Sequence, residues 1–600
     1  MTSALRRVRP DLWRYRRLLV PGLVCAFVSA LVALAVPGLV REAVDAVPRM
    51  VAVHGALRGT PAGDVLARDF GRALVAVAAL IVGVSAVSGL FIFLMRQLVV
   101  VASRHIEFDL RNRLYAHLQT LSGAFRHRHS TGDLMTRATS DVERVRRYVG
   151  PALMYLARAV AAIVTALAVM IAISPALTAW SLLPMPLLAV AVFLVSRLIH
   201  DRTDRQQAAY SSLTSRVQEA LAGVRVVKAY AQEEAWTDRV SDASADYRAR
   251  SLDLARVDAA FRPVLVILIG LSTVLVVGVG GRMVVAGDLS LGNVAEFILY
   301  VTILTWPVAS FGYVVSMVQQ ASASMERLAV LFDETPEITG PPADGPPVAV
   351  RGALAADGVS FRYAPDGPDV LAGVSFAVPA GTTLGIVGRT GSGKSTLVEL
   401  LLRRMDPTAG RLTLDGRDLR DWPLEALRGA VGYVPQEVFL FSDTLGANVA
   451  FGALGASDDA IRAAAAEADL LATIDAFPEG LGTRVGERGV TLSGGQKQRT
   501  AIARALLRQP PVLVLDDALS AVDTRTEAAI LGHLRTHAGE RTVVIVSHRI
   551  SAVQDADQIL VLEAGRVAER GTHAALVAAG GLYAAMVRRQ QIEAEIEERA

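Results

Sequence analysis

Apolar positions are unevenly spread along this chain. In the first half they merge into long uncharged stretches, while the second half has the mixed pattern of a water-soluble domain. A helical bilayer crossing needs roughly 20 predominantly apolar residues. Residues 18–40 and 73–95 meet that length. Residues 159–196 carry no formal charge and hold two crossings, 159–174 and 176–196. They divide at Ser174-Pro175, because proline lacks a backbone donor and disfavours helix at the residue before it. Residues 263–281 and 297–318 complete a set of six. The pattern predicts a six-helix α-helical transmembrane domain over 1–332 with long cytosolic helical extensions, followed by a water-soluble domain over 351–587. A connector over 333–350, semi-rigid through Pro336, Pro341, Pro342, Pro346 and Pro347, joins them, and 588–600 form a tail.

Charge sets the orientation. The net charge of +3 hides a cluster of Arg6, Arg7, Arg9, Arg14, Arg16 and Arg17. An uncharged span follows directly, so the cluster reads as a membrane-surface segment rather than a nucleic-acid arm. The apolar run is too long for a cleavable signal peptide. Arginines also fill 96–158 and 197–262 and are missing from the bend at 174–175. By the positive-inside tendency, both termini and both long connections are cytosolic, and the 41–72 connection faces outward. The long connections keep helical periodicity past the membrane, with bends at Ser122–Asp133 (Gly132) and Leu221–Tyr230 (Gly223). Such arms can pass force to a docked domain.

No acid or base lies near the middle of a span, which argues against an ion or proton path. Mid-span polarity comes from Ser29, Ser88, Thr165, Thr273, Thr302, Tyr300 and Tyr313. Most of these read as helix packing and some as lining of an amphipathic cavity; the sequence does not divide them. Cys25 is the only cysteine, so the chain has no internal disulfide and no multi-cysteine metal site. His127 and His129 sit among arginines and read as a basic bend.

The chemistry lies in the second half. Leu384–Val387 is a short apolar strand that runs into Gly388-Arg389-Thr390-Gly391-Ser392-Gly393-Lys394-Ser395-Thr396, and an apolar helix follows. Glycines let backbone N–H groups approach phosphate oxygens, and the helix N-terminus favours negative charge. Lys394 reaches the outer phosphates of ATP and Ser395 a Mg2+ ion, so the domain over 351–587 reads as an α/β P-loop ATPase cassette. Val512–Leu515 leads into Asp516, which holds the metal, and Asp517, which stands where a catalytic glutamate is expected. Aspartate is shorter by one methylene, about 1.5 Å of reach. A misplacement near 1 Å costs on the order of 10²-fold in rate, so this site predicts retained binding and weak hydrolysis. His548 at another strand end can contact the terminal phosphate, and Gln436 can sense the metal and the attacking water. Tyr363 either stacks on adenine or is an ordinary strand aromatic.

These residues, together with Leu492-Ser493-Gly494-Gly495-Gln496, resemble the ATP-binding cassette transporter superfamily. Over residues 11–587 the chain is similar to a bacterial half-transporter of the exporter type. Residues 483–489 resemble the stretch that contacts coupling helices, and Ser520-Ala521-Val522-Asp523 resembles the D-loop. The resemblance implies a dimer that sandwiches two ATPs, each between one chain's P-loop and the other's Ser493, Gly494, Gly495 and Gln496. ATP closure would turn the cavity outward and hydrolysis would reset it, with Tyr230 and the Ser122–Asp133 bend at coupling helices. Asp517 departs from the common glutamate as in heterodimeric exporters with one degenerate site. That implies a second half-transporter with a glutamate there and an altered signature, in a bacterial cytoplasmic membrane. The leading expectation is export of amphipathic drugs, lipids or peptides. Siderophore-type uptake and an ATP-gated regulatory subunit are the competing ones. Six spans exclude a soluble cassette acting on nucleic acid.

Overall fold

The computed structural model describes residues 4–599 except 343–348, 365, 487, 488, 490 and 538. For residues 124, 126, 127, 196, 261, 262, 265, 309, 594 and 597–599 it describes the backbone alone. Pro346 and Pro347 of the connector, residues 487 and 488 of the 483–489 stretch, and the side chain of His127 therefore lie outside the described residues. The chain divides into two compact units. One comprises Met1–Gln119 with Thr131–Glu334, and the other Thr120–Ser130 with Thr335–Ala600.

The first unit is helical. Six of its helical runs are long and apolar enough to cross a membrane: Arg16–Ala56, Pro61–Thr120, Thr131–Ile173, Pro175–Ala222, Val266–Ala286 and Leu291–Asp333. The first run shows how sequence sorts its two faces. Leu19, Gly22, Ala26 and Ser29 are buried, while Val20, Val24, Phe27 and Leu31 are exposed. Both stripes follow the three-and-four spacing of a helix, and the outer one is as apolar as the inner, as a lipid-facing surface requires. A Cβ on Gly22 would meet Val99 Cγ2 at 2.6 Å, so this glycine sets how closely the first two spans pack.

Helix interruptions have identifiable causes. The first run is broken at Leu34, where Pro37 cannot donate back to Ala33. Ser174 turns out of helix (φ −158°, ψ 105°), and its side chain accepts from Leu177 N in front of Pro175. A further break falls at Leu183-Pro184, ahead of Pro186. The third span contains two wide π-type turns, Arg137–Asp141 and Tyr148–Ala152, the second around Pro151. The 41–72 connection is mostly helix. One helix continues to Ala56 and the next begins at Pro61, leaving only 57–60 as a turn. Between residues 41 and 57 glycine and proline stay apart (Pro48, Gly55), they come together at Arg58-Gly59-Thr60-Pro61, and Thr60 Oγ1 caps the new helix by accepting from Gly63 N.

The two bends lie in the predicted stretches. A short helix, Gly123–Arg128, fills the first, and Gly223 separates helices Met185–Ala222 and Val224–Ala229 in the second. His129 stacks on Phe125, with ring centroids 4.4 Å apart.

The second unit contains two sheets. The antiparallel one joins β1 (Leu354–Phe361), β2 (Leu371–Val378), β4 (Ala409–Leu414) and β5 (Arg417–Asp418) in the order β2-β1-β4-β5. The larger one joins β3 (Thr383–Gly388), β6 (Val431–Val434), β7 (Val512–Asp516), β8 (Thr542–Val546), β9 (Gln558–Glu563) and β10 (Arg566–Gly571) in the order β10-β9-β3-β8-β7-β6. Its strands pair in parallel except β9 with β10. β7 and β8 are buried along their whole length, which is why they read as unbroken apolar runs. The C-terminal ends of β3, β7 and β8 lie side by side, and ligands bind at such an edge. The final helix, Leu582–Arg599, passes through Val587 without interruption.

Candidate nucleotide site and membrane cavity

At that sheet edge lies a cleft of about 560 Å³. Its lining gathers Thr390, Gly391, Gly393, Lys394, Ser395, Thr396, Gln436, Asp516, Asp517 and His548, which arrive from four separate stretches of sequence. Gly393 precedes the helix Lys394–Leu401 with φ 99°, and Leu371 Cδ2 stands 2.6 Å from where a Cβ would be. Only glycine fits that entry. Lys394 Nζ donates to the carbonyls of Gly388 (2.8 Å) and Arg389 (3.0 Å). Burial holds its pKa below the usual lysine range, against the pull of Asp517 and Asp516. Ser392 Oγ is buried without a hydrogen-bond partner among the described residues. Tyr363 is exposed, and its Oη lies 3.1 Å from Thr396 Oγ1, so the ring stands over the start of the P-loop helix.

Two acids stand at the end of β7, Asp516 as its last residue and Asp517 just after it. Asp516 is buried, hydrogen-bonded by Ser395, and pushed up to about 6 by burial and then by the neighbouring Asp517 charge. The charge of a divalent cation held here would offset both effects and favour the ionised carboxylate. Asp517 turns sharply, with φ 51°. His548 Nδ1 lies 2.8 Å from its Oδ1, and Gln436 Nε2 donates to Oδ2 at 3.4 Å. An orphaned buried hydroxyl, a glycine cradle with a lysine, and a paired Ser395–Asp516 donor set fit a nucleotide triphosphate and Mg2+.

Ser493, Gly494, Gly495 and Gln496 do not line this cleft. They open the helix Gly494–Leu507, where Ser493 accepts from Gln496 N and the Gln496 side chain accepts from Ser493 N. This reciprocal cap leaves the glycines' backbone at an exposed helix start. The structure also brings in residues that sequence reading missed. Gln498 Nε2 donates to Ser520 Oγ (3.1 Å) and Gln498 Oε1 accepts from Ala521 N (2.9 Å). Arg549 donates to Ser520 O (2.9 Å) and Val522 O (3.3 Å) and pairs with the buried Glu527. Together these two side chains fix Ser520–Asp523, while Asp523 caps the next helix through Thr526 N. Their roles depend on tertiary contacts that no local motif announces.

Within the first unit lies a cavity of about 280 Å³. Four of the mid-span hydroxyls line it: Ser29, Ser88, Thr165 and Thr302. The other polar mid-span residues are engaged elsewhere. Tyr300 donates to Glu296 at 2.8 Å, Thr273 to Ile269 O, and Tyr313 meets Tyr155 with ring centroids 6.2 Å apart.

A bundle of membrane-spanning helices and a phosphate-cradling cassette in one chain define an ATPase-coupled membrane transporter. Residues 19–308 match the ABC transporter transmembrane region, and residues 371–520 match the ABC transporter family. The probable multidrug resistance ABC transporter ATP-binding/permease protein YheI of Bacillus subtilis is 39% identical, over 81% of this chain and 83% of that protein. The multidrug resistance-like ATP-binding protein MdlA of Escherichia coli is 39% identical, over 84% and 86%. The ATP-dependent lipid A-core flippase of Chromohalobacter salexigens is 34% identical, over 86% and 89%. The solved structure of a bacterial Atm1-family ABC exporter with ATP bound superimposes with a TM-score of 0.77 at 30% identity, covering 96% of this chain and 98% of that one. The chain belongs to the ATP-binding cassette transporter family and is built on its exporter plan.

Proposed function

We propose that this chain is one half of a two-chain exporter that moves amphipathic molecules across a bacterial cytoplasmic membrane, with both termini and the cassette in the cytosol. Lys394 holds the outer phosphates of ATP and Tyr363 its adenine. Ser395, Gln436 and Asp516 hold Mg2+, whose charge eases attack on the terminal phosphate. The signature residues Ser493–Gln496 lie outside the chain's own cleft, which supports a site completed by a second cassette. Residues 333–350 serve as the connector between the two domains.

The observation that carries the unequal reading is Asp517. Its short carboxylate is already bonded to His548 and Gln436, which holds it back on the enzyme side. Binding then survives at this site while hydrolysis is slow, and the intact signature completes the faster site of a different partner. The test is to purify the chain from its native membrane and weigh the intact assembly by native mass spectrometry. A one-to-one complex with a half-transporter that has glutamate at the matching position is expected. A homodimer, or a partner that also carries aspartate there, would sink the proposal.

A further inference from the structure

The cavity in the membrane unit holds an unneutralised positive charge. Arg158 lines it together with Ser29, Ser88, Thr165, Thr302 and Trp306. It stands one position before the uncharged run 159–196, so the sequence places it at the edge of a span, while in the fold it lines the cavity. The described lining includes no aspartate or glutamate, and Arg158 forms no hydrogen bond or ion pair with any described residue.

The hydroxyls do not compensate. Ser29 donates to Ala26 O (2.8 Å), Ser88 to Ser29 O (3.0 Å), Thr165 to Ala161 O (2.6 Å) and Thr302 to Ile298 O (3.0 Å). Their protons are committed to backbone carbonyls. The remaining side-chain donors among the lining residues are the Arg158 guanidinium and the Trp306 indole N–H, and neither group can accept a hydrogen bond. Unpaired charge in an intramembrane cavity is costly and marks a ligand path. A cationic ligand would meet repulsion here, and a neutral one would leave the guanidinium unpaired. Trp306 meets Tyr155 edge to face, with ring centroids 5.6 Å apart, and supplies an aromatic wall beside the charge.

We propose that this cavity takes the anionic group of an amphiphile, with Arg158 as its counter-charge and Trp306 as the wall for its apolar body. This deepens the export reading and rests on it for the direction of transport. The anion is a carboxylate, sulfonate or phosphate, either on a free amphiphile or on a lipid headgroup.

The test uses the assembly purified from its native membrane in phosphatidylcholine nanodiscs. Two matched probes are pyrenebutanoate and pyrenebutyltrimethylammonium, and binding is read by fluorescence anisotropy. The anion is expected to bind roughly tenfold tighter than the cation, the scale of one charge-assisted contact. Arg158→Gln should remove that preference, and Arg158→Lys should keep most of it. Displacement of pyrenebutanoate by added phosphatidylglycerol would assign the site to a lipid headgroup; no displacement would assign it to free amphiphiles. Equal binding of the two probes, tighter binding of the cation, no binding of either, or a preference that survives Arg158→Gln overturns the proposal. ATP-driven uptake into inside-out vesicles separates this from the export reading. Uptake of the cation, with a charge preference indifferent to Arg158, leaves export standing and removes this site. Charge-selective binding without ATP-driven uptake of either probe does the reverse.

Discussion

Asp517 combines two constraints that pull against each other. Its side chain is too short for the reach of glutamate, yet its backbone, at φ 51°, favours a short polar residue. Asp517→Glu is therefore expected to raise ATP turnover at this site by about 10- to 100-fold. It should also cost about 1 kcal/mol of cassette stability, because glutamate tolerates the left-handed turn less well. Steady-state phosphate release and the unfolding midpoint check the two halves. The neighbouring Asp516 predicts a pH dependence. Its folded pKa is raised to about 6, above the usual aspartate value. Between those values the folded state binds more protons than the unfolded one, so this group's contribution to stability falls as pH rises through the window. Without nucleotide, Asp516→Asn should flatten that fall. Mg2+ needs the ionised form, so stabilisation by Mg2+ should be small below pH 6 and grow above it. Thermal unfolding with and without Mg2+ across that range measures both effects.

The elements were legible where their signal was local. The strand–loop–helix of the P-loop, the apolar β7 and β8, and the break at Ser174-Pro175 follow from residues adjacent in sequence. The break at Leu183-Pro184 had its signal in two prolines, but an uncharged run of span length hides it. The 41–72 segment read as a connection because charges mark it as lying outside the bilayer, although charge does not stop a helix. Gln498, Arg549 and Arg158 were illegible because their work is done across elements. Ser493 predicts a measurable consequence at this scale. Ser493→Ala should cost about 1 kcal/mol through loss of its cap on the signature helix, and Ser493→Asn much less. Chemical denaturation of the intact chain, followed by a cassette-specific probe, distinguishes them.

Across the membrane unit, one buried carboxylate ties distant parts of the chain. Asp141 is 1% exposed and sits in a π-type turn of the third span. It accepts from Ser324 Oγ at 2.9 Å and from Arg327 Nε at 2.8 Å, both on the helix Leu291–Asp333. Removing one partner of such a pair leaves the other without compensation, at a cost of about 3 kcal/mol. Asp141→Asn keeps the shape and removes the charge. It should lower the thermal unfolding midpoint of the full chain by several degrees, while Arg327→Lys should have a smaller effect.

The second span belongs to a single helix of 60 residues, Pro61–Thr120. At 1.5 Å per residue this rod is about 90 Å long, while the hydrocarbon core is only about 30 Å thick. About two thirds of the rod therefore lies outside the apolar layer. Geometry makes such a rod an amplifier: a tilt of about 5° around its midpoint swings each end by about 4 Å, nearly a full residue-to-residue step. A rearrangement too slight to break any contact in the bilayer can thus be a large stroke at the tip. The stiffness of the rod then sets how much of that stroke survives, so a glycine pair placed midway along its exposed length would act as a slipping clutch.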